Sequence, residues 1–210
     1  MRIKVKEFNI YIDETMVIVA VLCIILKELR SYFENYFVCY LFIVFHELSH
    51  MFVASICGIK TRKISIRISG LSINLDKNTG KNGKWLAIYL AGPMSNIILA
   101  SIFKNVPMVC GINLALAIIN LIPIEPLDGH NIMGVLLKIF NVKNIKKIQK
   151  VTHLFILIIL GILGIYQLIF LLNPSLLLMI FYIIIQALIA KKNGSRRLYQ
   201  EYYKNVTNFN

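Results

Sequence analysis

The segment F-H-E-L-S-H sets His46 and His50 four residues apart, with Glu47 beside the first. On a helix that spacing puts both imidazoles on one face about a turn apart, where two ring nitrogens can share one metal ion. Imidazole donors suit zinc, iron or cobalt, and zinc is the usual partner of this pattern. Glu47 is placed to take a proton from water activated by the metal and return it to a leaving amine. That is hydrolytic chemistry with one Zn2+ per chain. A catalytic zinc keeps an open position and needs a third protein ligand. Of the three aspartates, Asp13 and Asp76 lie in polar surroundings, whereas Asp128 follows an apolar run in N-L-I-P-I-E-P-L-D-G-H. Asp128 is the first choice, with Glu125 and His130 as alternatives. The competing explanation for the histidines is a packed, hydrogen-bonded pair. Their place in the middle of an apolar run weighs against it, because ionisable groups at such depth are costly unless paired, metal-bound or facing water.

The elements that must carry these residues are membrane spans. The chain has 210 residues, 58% hydrophobic and only 16% charged, and the apolar residues come in blocks. This is outside the balance of a soluble domain. A hydrocarbon core about 30 Å thick takes about 20 helical residues, and six stretches approach that length: 10–27, 36–58, 86–103, 107–122, 152–172 and 175–190. Asp13 and Glu14 shorten the first. Pro123 and Pro126 end the fourth in irregular backbone, which frees the chain to turn Asp128 inward. The expected fold is an all-α polytopic membrane protein of about six transmembrane helices, with one domain over 1–190 and a short basic cytoplasmic tail at 191–210.

The formal net charge is +13. With six spans, every basic residue except Lys27, Arg30 and Lys104 falls on one side, which places both termini in the cytoplasm. No basic stripe is interleaved with aromatics, so the lipid bilayer and not nucleic acid is the expected partner. Cys23, Cys39, Cys57 and Cys110 lie in apolar stretches without a C-x-x-C pair and read as packing residues. No small-residue cleavage site follows the first apolar run, so no removed signal peptide is expected.

Between the second and third spans, Ile64, Ile66 and Ile68 alternate with polar residues, and Leu71, Ile73 and Leu75 do so after Ser69-Gly70. This period of two predicts a small membrane-associated β-hairpin near 64–75, the rival being an amphipathic loop on the membrane surface. A hairpin edge can pair with an extended peptide, making Ile66, Ile68, Leu71 and Ile73 candidate substrate-binding positions. Asn120 and Asn96 are amides at membrane depth. Asn120 can hold a substrate carbonyl or an oxyanion, or tie helices together, and Asn96 carries the same two readings. Ala91, Gly92 and Ser95 permit close helix approach, and Gly92 with Pro93 reads as structural. His153 reads as interfacial, and Gly161 and Gly164 as packing glycines.

Three motifs, in order, resemble those of the site-2 protease family of intramembrane metalloproteases. H-E-L-S-H at 46–50 is similar to its H-E-x-x-H, A-G-P-M-S-N at 91–96 to its G-P-x-x-N, and N-L-I-P-I-E-P-L-D-G at 120–129 to its N-x-x-P-x-x-P-L-D-G. The resemblance implies zinc ligands at His46, His50 and Asp128, a general base at Glu47 and a substrate-contacting role for Asn120. It also implies cleavage of a membrane-protein substrate in or near its transmembrane segment, from the cytoplasmic side. The compact layout is most like the sporulation branch, which processes a membrane-tethered sigma-factor precursor in the bacterial cell membrane. Two departures stand out. His130 occupies a position where the family often has glycine, and residues 191–210 are too few for that branch's nucleotide-sensing domain, so either an inhibitory membrane partner regulates the chain or it belongs to a compact relative of that branch. The competing functions are an inactive membrane scaffold or regulator with a structural metal site, and a transporter. The transporter fares poorly because no inverted repeat is evident and the carboxylates are too few for a proton relay.

Overall fold

The structure, a computed structural model, describes residues 2–5, 8–12, 30–67, 70–75, 81–185 and 188, with backbone alone up to residue 35 and over 62–74. Two compact units divide the chain, one of residues 1–122 with 135–142, the other of 123–134 with 143–210.

In the first unit three apolar helices follow one another: α1 (Arg30–Ile56), α2 (Asn82–Ile102) and α3 (Pro107–Leu121). Long apolar runs become helices because a helix bonds its own backbone, the condition lipid imposes. Gly58 closes α1 in the left-handed conformation at φ 73°. Its N–H bonds to Ser55 O and that of Ile59 to Ala54 O, a closure that glycine adopts without Cβ strain. Proline supplies the first residue of α3, where its missing N–H removes nothing from the ladder. Helix α1 packs on α2, and α2 on α3. Ala54, Ile59 and Ile88 form a small core flanked by Trp85 and Leu75, while Phe37, Phe52 and Ile56 point outward, as lipid-facing residues do.

Four strands belong to the same unit: β1 (Arg2–Val5), β2 (Phe8–Ile12), β3 (Thr61–Arg67) and β4 (Gly70–Leu75). They form one sheet in that order, with β2 parallel to β3 and the outer pairs antiparallel. In the register of β3 and β4, Ile66 stands opposite Leu71 and Ile64 opposite Ile73.

In the second unit the 123–127 segment, with a cis Glu125–Pro126 bond, leads into α4 (Asp128–Ile139), whose last residues count with the first unit. Helices α5 (Ile145–Leu171) and α6 (Ser175–Ile185) follow. A Cβ on Gly164 would stand 2.7 Å from Leu177 Cδ2, so this glycine lets α6 approach α5, whereas a Cβ on Gly161 would meet nothing within 4 Å among the described residues. The sequence reading of Gly161 as a packing glycine is therefore corrected.

Three helices among the described residues are long and apolar enough to cross a membrane: Tyr36–Ile56, Asn82–Ile102 and Ile145–Leu171. Pro107–Leu121 and Ser175–Ile185 are apolar but shorter. At about 1.5 Å per residue, 15 residues reach only about 22 Å. The chain is mostly helical and an integral membrane protein. The expected first span needs correction at its start, because Phe8–Ile12 is a strand, and its remainder from 13 lies outside the described residues. Strands were expected only near 64–75, and that expectation is corrected by β1 and β2 at the start of the chain. Pairing with a second segment of chain gives alternating or β-branched residues a route to satisfy their backbone that helical periodicity does not reveal. The basic tail, Ile68 and Cys23 lie outside the described residues.

Candidate metal centre

His46 and His50 sit in the middle of the apolar α1 helix, 3% and 7% exposed. Their separation of four residues brings the two rings together edge to face, with Nε2 of one 3.2 Å from Nε2 of the other. The second nitrogen of each ring is committed elsewhere. His50 Nδ1 lies 2.6 Å from the carbonyl oxygen of Ile88 on α2, and His46 Nδ1 lies 2.5 Å from Asn96 Oδ1 on the same helix. A backbone carbonyl only accepts, so His50 donates from Nδ1. A neutral imidazole then carries its lone pair on Nε2. The same holds at His46 when Asn96 presents its oxygen, an orientation that its own partners fix. With Nδ1 donating in both rings, each Nε2 is the atom a metal ion would use.

The space at those two nitrogens is kept open by a missing side chain. A Cβ at Gly92 would stand 2.5 Å from His46 Nε2 and closer still to His50 Nε2. No real Cβ approaches that near, so only glycine is compatible with these rings. The cradle thus has the donors, the depth and the volume for a single ion, and zinc fits it. Position 92, read from sequence as a packing glycine, belongs to the centre itself.

Behind the histidines runs a chain of amides. Asn96 and Asn113 are both fully buried. Asn96 Nδ2 donates to Asn113 Oδ1 at 2.8 Å, and Asn113 Nδ2 donates to Val109 O at 2.9 Å. Of the two readings of Asn96, the structure shows the tie between helices, to His46 Nδ1 on α1 and to Asn113 on α3. Asn113 was not found by sequence reasoning. Its signal, an amide inside the α3 run G-I-N-L-A-L, was present, but nothing in the spacing connects it to His46.

Glu47 is half-buried beside His46, and Asn120 is half-buried with Nδ2 bonded to Leu116 O on its own helix at 3.0 Å. His46 and His50 offer two metal donors from the first unit, and Asp128 belongs to the second. Asp128 opens α4, in the first turn where a carboxylate complements the helix dipole. In the second unit, the Glu125 N–H donates to His153 Nδ1 at 3.2 Å, so His153 braces the proline segment. Gln149 Nε2 donates to His130 O at 3.0 Å. His130 Nδ1 is buried with no hydrogen-bond partner among the described residues. Burial pushes the His130 pKa down, opposed by Glu125 and reinforced by His153. For Ile66, Leu71 and Ile73 the structure describes the backbone pairing and no side chain.

Fold and site together define a helical membrane protein with a buried histidine pair shaped for a metal ion. The comparisons with known proteins agree with that class. No family model matches the chain. It is 33% identical over 105 residues to the protein named "Putative zinc metalloprotease sll0528" of Synechocystis sp., a match covering 43% of this chain and 28% of that protein. The chain therefore matches under a third of that relative's length. Among solved structures, the Site-2 Protease from Methanocaldococcus jannaschii shares the fold, with a TM-score of 0.57, 23% identity, and coverage of 89% of this chain and 94% of that one.

Proposed function

We propose that this chain is an intramembrane zinc metalloendopeptidase, a hydrolase that cuts a membrane-protein substrate in or near its transmembrane segment. The observation that carries the reading is the pair of facing Nε2 atoms over Gly92, inside an apolar helix that also bears Glu47. His46, His50 and Asp128 would hold the ion. Bound zinc supplies a Lewis acid that polarises a carbonyl and lowers the pKa of water. Glu47 takes the proton from water and passes it to the leaving nitrogen, which must be protonated before the peptide bond can break. His50 and His46 are oriented by their Nδ1 bonds, which turn Nε2 of each ring to the ion. The resemblance of the motifs to the site-2 protease family, and the likeness to a named zinc metalloprotease and to a site-2 protease structure, support the same assignment.

The substrate must present an unwound backbone, because a helical peptide bond is shielded by its own ladder, and unwinding in lipid leaves polar groups unsatisfied. Gly70–Leu75, the last strand of the sheet, offers a backbone edge to such an extended segment, and Ile66, Ile68, Leu71 and Ile73 would meet its side chains. Asn120 would receive a substrate carbonyl through its amide. The layout of the motifs favours a membrane-tethered sigma-factor precursor as substrate, in a sporulating bacterium. Both termini would lie in the cytoplasm, with a membrane partner acting as inhibitor.

The test is metal content and cleavage of a single-span model substrate, with wild type and Glu47→Gln compared in detergent. Near-stoichiometric zinc in both, with cleavage by wild type alone, is the expected result. Cleavage by Glu47→Gln removes the base assignment. Zinc in both without turnover by either favours the inactive scaffold, and wild type without metal ends the reading.

A further inference from the structure

We propose that Asn113 is a positioning residue for the metal centre: through Asn96 it dictates which nitrogen of His46 carries the proton, and so makes Nε2 the atom that binds metal. The inference rests on the reading of His46 and His50 as ligands.

The argument runs from the far end of the chain of amides. Val109 O is a backbone carbonyl and can only accept, so the group of Asn113 facing it must be the NH2. That leaves Asn113 Oδ1 turned toward Asn96, where it can only accept, and the Asn96 NH2 must face it. Asn96 Oδ1 is then presented to His46 Nδ1, which has to be the protonated nitrogen. Every link donates away from the histidine, and the direction is set by an atom three bonds removed. His50 needs no such relay, because Ile88 O orients it directly.

Take away Asn113 and the constraint on Asn96 goes with it. Its amide can rotate by half a turn, at little cost in shape, and offer N–H to His46 Nδ1. That would favour the tautomer protonated at Nε2, the one that cannot ligate. The amides also explain their own burial. Two fully buried Asn side chains within apolar helices are costly unless bonded, and the relay bonds three of their four polar groups to named partners while placing the last, Asn96 Oδ1, against the ligand.

The experiment uses the full chain in detergent, with zinc affinity read by competition against a chelator and the His46 tautomer read by nitrogen-15 NMR in metal-free protein. Asn113→Leu, close in volume but unable to hydrogen bond, should weaken zinc binding by roughly 10- to 100-fold, the range found when a ligand's supporting partner is removed. It should also shift His46 toward the Nε2-protonated form. Asn113→Asp, neutral in this setting, can still accept from Asn96 and donate to Val109 O, and should restore affinity to within a few-fold of wild type. Asn113→Ala provides the same two readouts should the leucine not fold. Wild-type affinity with His46 still protonated at Nδ1, in a folded Leu or Ala variant, would overturn the relay while leaving the metal site standing. Wild-type protein that binds no zinc would instead overturn the ligand reading, and the role of Asn113 with it.

Discussion

Nε2 of His46 faces Nε2 of His50 at 3.2 Å, and the Nδ1 atom of each ring is already engaged by an acceptor on α2. The second helix therefore does more than pack against the first, since it selects the tautomer that leaves both lone pairs pointing at one place.

Gly92 is the sharpest test of that geometry. Gly92→Ala places a methyl group against both Nε2 atoms, so zinc binding should fall by at least ~100-fold, as expected when ligand geometry is lost. Helix content should be retained, because alanine is the better helix former. Metal analysis with circular dichroism checks both halves, and an alanine variant that binds zinc like wild type would show that the rings stand elsewhere.

The choice of third ligand separates Asp128 from its neighbour His130. Asp128→Ala should lose most bound zinc. His130→Leu should keep it, and should leave thermal stability unchanged or raise it by about 1 kcal/mol, since it removes a buried Nδ1 that has no hydrogen-bond partner among the described residues. Loss of zinc from His130→Leu with retention by Asp128→Ala would reverse the assignment.

Metal removal should cost stability as well as activity. A ligand that binds only the folded state stabilises it by mass action, about 2.7 kcal/mol at a hundred times its dissociation constant. A chelator should thus lower the melting temperature of wild type, and lower it little or not at all in His46→Ala, which already lacks one of the converging donors. Equal drops in both would point to an effect unrelated to this centre.

Orientation can be read from the lysines that precede α5. Lys143, Lys146, Lys147 and Lys150 are exposed at the entrance to a long apolar helix, where the positive-inside rule assigns them to the cytoplasm. A reporter fused after residue 210 should be active only in its cytoplasmic form, and changing all four lysines to glutamine should raise the inverted fraction. An outward reporter in the wild type would overturn the predicted placement of the termini.

Much of the centre was legible from spacing because a helix converts sequence distance into direction. His46 and His50, four apart in an apolar run, had to share a face, and Glu47 had to stand beside them. The three spans were legible for a related reason, since lipid leaves a long apolar run few alternatives to a helix. What spacing cannot carry is contact between elements. Whether Gly92 lay against a neighbouring helix or against the donor nitrogens was undecidable from A-G-P-M-S-N, and Asn113 had no motif to announce it. The start of the chain fails for another reason: residues 8–12 pair with β3, more than fifty positions away, and local hydropathy is blind to a partner so distant. Sequence alone determined that this is a membrane protein with a histidine pair and a carboxylate able to do metal chemistry. The tertiary structure decided which nitrogens are turned to it, because a lone pair is directed by whatever bonds the other side of the ring, and those acceptors arrive from a different helix.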